Sequence, residues 1–399
     1  MKPIIFIPGI QATNLVNANT FDFNFIWNAY DTLGTSIMTS ITGPYIKENL
    51  QLNPLYDEGI ETIIERNHIA KLPYEKPILK LKSKLNDCPP FKDTPIYLFG
   101  YDWRMSNMES GKRLKLYVEY LTHKLQGQNV EGFRFITHSM GGLVLSCYLN
   151  LLNDDYSKID KIIMNAPPFL GSPYALVHMV KGDGGLRSIL NWAIGRNEDM
   201  RKVIRTYPGV FELLPVYKNA LVYKDTRQQL DILEKKYWQQ NIYDDIETLF
   251  DARLQLLKDF RSPNGLKNLS ELPKEVRAKM VIVVGEKDKT YTQLEIHKKK
   301  YGIANLVDLD SLKNGIDSGD GTVPFVSSSI YAKDITTLAV KKENFFDEIS
   351  NNLDFHGLFL KDSRVQNIME RYLTKEEATP KIEGLKDWWQ VPNHSVRKV

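Results

Sequence analysis

Ser139 is the residue whose surroundings point most directly to chemistry. It follows an apolar run at residues 133–138 and precedes Met140-Gly141-Gly142, where an apolar helical pattern begins. A serine on a sharp turn from a strand into a helix exposes its hydroxyl and can act as a nucleophile in acyl transfer. Thr137 stands where the pattern G-x-S-x-G has its first glycine, and a β-branched residue crowds such a turn. The motif alone also fits a serine that caps an ordinary helix.

A nucleophilic serine needs a base, and His356 is the leading candidate. It lies on a loop just before a predicted amphipathic helix. The apolar positions of that helix are Val365, Ile368, Met369 and Tyr372. His394 sits in a polar tail, and His297 sits in a lysine run that we expect to be a solvated helix face. A lone histidine is more often structural than catalytic, so the assignment of His356 as the base depends on the rest of the sequence.

The acid that would orient this base has two candidates. Asp288 follows a predicted strand in a Gly-x-x-Asp arrangement. Asp320 lies in a glycine-bounded turn at residues 318–324, which can hold a carboxylate rigidly against an imidazole N–H. Spacing alone leaves both open. A calcium loop is not expected around Asp320, because the alternating acidic ligands and terminal glutamate of an EF-hand are missing.

The oxyanion of an acyl transfer needs two preset backbone N–H donors. Met140 follows the serine, and Ile10 follows an apolar amino-terminal strand that stops at Pro8-Gly9. These two residues are therefore the candidate oxyanion hole.

The elements that must position these residues form an alternating pattern of strands and helices, which predicts a mostly parallel sheet. Further strands are predicted at residues 95–104, 159–165 and 280–288, and helices at residues 111–125 and 142–152. Residues at the carboxyl ends of parallel strands meet at one edge, where we expect Gly9, Trp103 and Ser139. Tyr101 and Trp103 either form the pocket floor or buttress the sheet edge, and the sequence does not choose.

Four stretches, at residues 6–9, 101–104, 138–142 and 319–324, resemble the lecithin:cholesterol acyltransferase-type α/β hydrolases when Phe355-His356-Gly357 is added. That group includes lysosomal phospholipase A2 and many bacterial lipid esterases. The resemblance implies Ser139 as nucleophile, Asp320 as acid and His356 as base, with oxyanion donors at Ile10 and Met140. It also matches Trp27 with an aromatic residue of the acyl pocket. Residues 207–215 are similar to a segment that bacterial members carry after the first lid helices.

The predicted organisation is one α/β-hydrolase fold, with a mostly parallel central sheet, interrupted by a helical cap. We expect the core at residues 1–173 and 273–373, the cap at 174–272 and a tail at 374–399. Residues 12–93 are loop-rich and are expected to frame the pocket or join the lid. Within the cap, helical patterns occur at residues 186–194, 200–204 and 230–238. Trp388-Trp389 in the tail could touch an anionic lipid surface, but a tail that is packed on the body or disordered is favoured.

Composition excludes several classes. A net charge of +3 gives no argument for a nucleic-acid partner. Cys88 and Cys147 are too few for a disulfide framework and lack metal-ligand spacing, and Cys147 is predicted to be a core residue. No complete nucleotide or zinc motif occurs, so we expect neither a cofactor nor a metal. No apolar run could span a bilayer and no signal peptide precedes the first strand, so we expect a cytoplasmic protein.

The residues and the resemblance together predict a serine hydrolase or acyltransferase of phospholipase A or lipase type. It would cleave carboxylic esters of lipids or other hydrophobic molecules through an acyl-enzyme on Ser139, with transient contact at a membrane surface compatible with that substrate. Two alternatives stay open: a catalytically inactive module that binds a ligand in its pocket, and an esterase or thioesterase for small soluble acyl substrates.

Overall fold

A computed structural model describes residues 1–13, 15–16, 25–27, 71–88, 91–181, 201, 204–244, 246–342, 355–374, 387–390 and 395–399. The strands are β1 (Ile4–Ile7), β2 (Leu15–Val16), β3 (Phe25–Trp27), β4 (Ile96–Leu98), β5 (Phe133–His138), β6 (Ile159–Asn165), β7 (Leu221–Tyr223), β8 (Met280–Glu286), β9 (Asp288–Tyr291), β10 (Leu294–Lys300), β11 (Ile303–Val307), β12 (Ile316–Gly319), β13 (Thr336–Lys341) and β14 (Val396–Lys398). The α-helices are α1 (Lys71–Asn86), α2 (Asn107–Lys124), α3 (Gly141–Asn150), α4 (Pro173–Lys181), α5 (Pro208–Glu212), α6 (Gln240–Asp244), α7 (Glu247–Arg261), α8 (Lys274–Arg277), α9 (Phe325–Ser328) and α10 (Ser363–Thr374).

A seven-stranded sheet in the order β4-β1-β5-β6-β8-β13-β14 forms the centre of the molecule. Its neighbours pair in parallel except at the edge, where β14 is antiparallel to β13. The strands β1 and β8 are mostly apolar and buried, as expected for a sheet covered on both faces. In β1, Ile5 and Ile7 pack into one core cluster, and Ile4 and Phe6 pack into the other. This architecture confirms the predicted α/β class.

Helices cover both faces of that sheet. α2 and α3 pack together on one side, and a Cβ added at Gly111 would lie 2.8 Å from Cys147 Cβ, so small residues set this close approach. Cys147 is buried in α3, as predicted. On the other side, α1 and α10 contribute Leu81 and Val365 to the core. The amphipathic pattern that predicted α10 is therefore confirmed, since it buries the four expected apolar residues.

Two helix predictions were wrong. His297 lies in strand β10, which pairs with β7 and β11, so the lysine run is a strand with exposed charges and not a helix face. Residues 230–238 form irregular chain with one 3-10 turn at Lys235–Tyr237. Trp238 is buried there and its Nε1–H donates to the Ile232 carbonyl at 2.7 Å, so tertiary packing replaced the helical pattern. The predicted helix at 186–194 lies outside the described residues.

The described parts of the carboxyl-terminal tail, residues 387–390 and 395–399, pack on the body. Trp388 is buried and stacks on Tyr372 of α10 with ring centroids 5.6 Å apart, and β14 extends the central sheet. Across the described ranges, no helix combines the length and the apolar character needed to cross a bilayer.

Candidate active site

Ser139 occupies the junction of β5 and α3 in a left-handed backbone conformation with φ of +53°. Such a φ is uncommon for a residue with a side chain, and it is the conformation of a nucleophile elbow. The turn needs glycine two positions later, because a Cβ on Gly141 would lie 2.4 Å from the Ile7 carbonyl oxygen. Thr137 is buried in β5 and does not prevent the turn, although it replaces the usual glycine.

His356 stands between Ser139 and Asp320. Its Nε2 is 2.8 Å from Ser139 Oγ and its Nδ1 is 2.8 Å from Asp320 Oδ2. A carboxylate can only accept, so Nδ1 carries the hydrogen and Nε2 is left to accept the serine proton. All three residues are buried, with 5, 8 and 1% of Ser139, His356 and Asp320 exposed. The structure thus brings together one predicted residue from the turn after β5, one from the loop after β12 and one from the segment before α10.

The Asp320 carboxylate is oriented by its own turn. Its Oδ1 accepts the Thr322 N–H at 3.1 Å and the Val323 N–H at 2.7 Å, which leaves Oδ2 for the histidine. Asp288, the other candidate acid, pairs with Lys342 at 3.0 Å instead. Of the two carboxylates, Asp320 is the one that faces His356.

The two predicted oxyanion donors flank the nucleophile. Met140 directly follows Ser139 and precedes α3. Ile10 lines the same cavity as Ser139, and the Gly9 backbone beside it is so close that an added Cβ would lie 3.0 Å from Ser139 Cβ. Within the described part of the chain, neither the Ile10 N–H nor the Met140 N–H donates to another residue. Both amides are therefore available to a reacting carbonyl oxygen.

A cavity of about 240 Å³ opens at the serine hydroxyl. Its described walls are mainly apolar and aromatic, and include Trp103, Ala175, Ile204, Tyr207, Val210 and Leu213. Ser139 and His356 also line the cavity. The mainly apolar wall suits an apolar acyl group held near the serine hydroxyl.

Tyr101 and Trp103, each expected either to support the pocket or to buttress the sheet edge, make different contacts. Trp103 lines the cavity, and its Nε1–H donates to the Thr13 carbonyl at 3.2 Å. Tyr101 is fully buried and donates its hydroxyl to the Pro8 carbonyl at 2.9 Å, so it buttresses the loop that carries Ile10. The backbone of Trp27 lies in β3, but its side chain is outside what the structure describes.

Sequence reasoning missed Tyr207, Tyr174 and His178 as cavity residues. Tyr207 meets the edge of Trp103 with centroids 5.8 Å apart, and the Arg104 guanidinium lies 5.8 Å from its ring centroid. The sequence singled out residues 101–104 and residues 207–215 separately. It gave no indication that these two segments pack together.

A profile of the lecithin:cholesterol acyltransferase family matches residues 90–297, more than half of the 399-residue chain. The chain belongs to this family. The matched range contains Ser139 and ends before Asp320 and His356, so the assignment of the acid and the base depends on their geometry.

Two relatives from Arabidopsis thaliana share part of the family sequence. Phospholipase A(1) LCAT3 is 26% identical over 210 residues, which are 47% of this chain and 42% of the relative. Lecithin-cholesterol acyltransferase-like 4 is 27% identical over 133 residues, which are 31% of this chain and 24% of the relative. The chain therefore matches less than half the length of each.

The solved structure of the Tle4–Tli4 complex contains a similar fold. Its TM-score is 0.59 at 16% identity, over 94% of this chain and 98% of that one. At this identity the likeness shows the fold alone, and that fold is the α/β hydrolase.

Proposed function

We propose that this family member is a serine hydrolase or acyltransferase that cleaves carboxylic ester bonds of lipids, as a phospholipase A or lipase does. The observation that carries the proposal is the hydrogen-bonded series Ser139–His356–Asp320, of which Ser139 and His356 line a mainly apolar cavity. The name of the relative phospholipase A(1) LCAT3 supports the same reaction class.

The reaction follows from the direction of these hydrogen bonds. His356 Nε2 takes the hydroxyl proton as Ser139 Oγ attacks the ester carbonyl, and Asp320 stabilises the imidazolium that forms. The amides of Ile10 and Met140 bind the oxyanion. The imidazolium then gives its proton to the leaving alcohol, and an acyl-enzyme remains on Ser139. Water or an acceptor alcohol, deprotonated by His356, releases the acyl group.

The proposed cap at residues 174–272 supplies part of the cavity wall through Tyr174, His178 and Tyr207. An apolar wall next to the serine favours a long acyl chain over a polar acyl group, because burying apolar surface stabilises the complex by about 25 cal/mol per Å². Contact with a lipid surface during substrate uptake belongs to the same proposal, and a cytoplasmic location stays a prediction.

Replacing the nucleophile gives the largest effect and tests the proposal. Ser139→Ala should lower ester turnover by about four to six orders of magnitude and abolish labelling by a fluorophosphonate probe, because the acyl-enzyme cannot form. Ser157→Ala is the matched control, since Ser157 is exposed. Retained turnover in Ser139→Ala, together with a wild type that the probe does not label, would contradict a mechanism in which Ser139 is the nucleophile.

Acyl length separates lipid esters from small soluble esters. Hydrolysis of a series of p-nitrophenyl esters should give kcat/KM values that rise with chain length until the cavity is filled. Equal or falling values beyond acetyl would instead support the esterase or thioesterase alternative.

A further inference from the structure

A second histidine, His138, lies directly before the nucleophile and beside the base. Its ring centroid is 4.9 Å from that of His356, with the planes 34° apart. His138 Nε2 is 3.1 Å from the His356 carbonyl oxygen, and its Nδ1 is 2.8 Å from the Tyr74 hydroxyl. The mechanism uses neither His138 nor Tyr74, although both are buried.

The other end of this series reaches the oxyanion loop. The Gly9 N–H donates to the Tyr74 hydroxyl oxygen at 3.1 Å, and Gly9 immediately precedes Ile10. Tyr74 is held in α1 with its ring edge against Phe6 of β1, at a centroid distance of 5.2 Å. One set of hydrogen bonds therefore runs from the loop that carries an oxyanion donor to the backbone of the base.

Only one protonation pattern satisfies every member of the set. The His356 carbonyl can only accept, so His138 Nε2 must carry a hydrogen. The Tyr74 oxygen accepts from Gly9, so its own hydrogen is directed to His138 Nδ1, which must be bare. His138 is then a neutral imidazole with its hydrogen on Nε2.

The surroundings keep His138 in that neutral form. Burial, and then the neighbouring His356, hold the pKa of His138 well below its usual range. Neutrality matters for the reaction, because a charged His138 would repel the imidazolium that forms on His356.

We propose that Tyr74 and His138 act as a positioning bridge that fixes the Ile10 loop and His356 relative to Ser139. The proposal rests on the function proposed above and adds two residues to it that touch no substrate. The bridge aligns the proposed oxyanion donor and the base around one nucleophile, where a misplacement of about 1 Å can cost 100-fold in rate.

Removing the tyrosine hydroxyl tests the bridge. Tyr74→Phe should lower kcat, and the rate of fluorophosphonate labelling, by about 10- to 100-fold with KM within about threefold, because the cavity wall is unchanged. Tyr117→Phe is the matched control, since Tyr117 is a buried core tyrosine whose hydroxyl donates to the Leu98 carbonyl at 3.3 Å. Equal kcat values for the two variants would overturn the bridge.

A measurement that needs no catalysis tests the bridge independently of the proposed function. In Ser139→Ala protein, nitrogen-15 NMR of the histidine side chains should show His138 with hydrogen on Nε2 and a bare Nδ1, and Tyr74→Phe should change that pattern. His138 with hydrogen on Nδ1, or a spectrum unchanged by Tyr74→Phe, would overturn the bridge. An inactive, unlabelled wild type with the expected His138 spectrum would instead refute the proposed function and leave the bridge standing as a structural feature.

Discussion

Asp288 and Asp320 lie at the same end of one small ribbon, yet only Asp320 faces the base: Asp288 begins β9, and Asp320 directly follows β12. β9 and β12 pair antiparallel, with Asp288 opposite Gly319, so the two carboxylates start from neighbouring positions. Asp288 pairs with Lys342 at 3.0 Å, whereas Asp320 meets His356 at 2.8 Å. The two carboxylates are therefore distinguished by their partners and not by their local motifs: one forms an ion pair, and the other is a candidate catalytic acid.

The two carboxylates also differ in how their oxygens are used. Asp320 gives one oxygen to two backbone N–H groups and keeps the other for the imidazole, with 1% of the residue exposed. The charge of Asp288 is already compensated by an ammonium group, and 14% of its side chain is exposed. A carboxylate neutralised by lysine would stabilise an imidazolium poorly, because the two cations would compete for it.

The strongest test of this comparison is Asp320→Asn. The amide oxygen of the new side chain should stay with the Thr322 and Val323 N–H groups, so its NH₂ group would face His356 Nδ1. The hydrogen of His356 would then move to Nε2, which could no longer accept the Ser139 proton. We expect kcat to fall by about 10³- to 10⁴-fold, measured with a soluble chromogenic ester.

Asp288→Asn is the matched control for that substitution. It removes an equal charge from the same ribbon, and we expect kcat to stay within about twofold, since Asp288 contacts no member of the site. If Asp288→Asn lowered kcat more than Asp320→Asn, Asp288 and not Asp320 would be the acid.

The chemistry at the sheet edge was predictable because its signals are local. An apolar strand, a serine and two glycines predict the turn around Ser139, and the glycine-bounded loop predicts a rigid carboxylate at Asp320. The choice between Asp288 and Asp320 needed the family resemblance, because sequence spacing does not reveal that Lys342 reaches one carboxylate and His356 the other.

Contacts between distant segments of ordinary residue types were not predictable. Tyr74 lies in no motif, and His138 drew attention only as the neighbour of Ser139. The hydrogen bond between them exists because α1 packs against β1. The lysines of β10 were assigned to a helix for a similar reason. A run of charged residues has no hydrophobic periodicity, and the strand forms because it pairs with β7 and β11.

Thr290 of β9 links the start of its own strand to the turn that carries Asp320, and its substitution should have an intermediate effect on kcat. Its hydroxyl accepts the Gly321 N–H at 2.9 Å and donates to the Asp288 carbonyl at 3.0 Å, and the residue is fully buried. Thr290→Val keeps the shape but leaves the Gly321 N–H unpaired, so we expect unfolding free energy to drop by about 1–3 kcal/mol. The Asp320 turn would loosen, and kcat should fall about three- to tenfold.

Urea unfolding and steady-state kinetics measure these two changes separately. Thr290→Ser is the control, because it retains the hydroxyl and should preserve kcat. A Thr290→Val protein as active as wild type would mean that the Asp320 turn holds its shape without the ribbon.

The smallest effect is expected for the ion pair itself. Asp288 and Lys342 have 14 and 19% of their side chains exposed, so solvent screens much of their attraction. In a double-mutant cycle of Asp288→Asn and Lys342→Met, the coupling energy in urea unfolding should be about 0.2–1 kcal/mol and should shrink as salt rises. The same cycle should show no coupling in the turnover rate. A coupling that changes turnover about tenfold or more would mean that the ion pair acts on the triad through the ribbon of β9 and β12. The surroundings of Asp288 and Asp320 would then affect catalysis together.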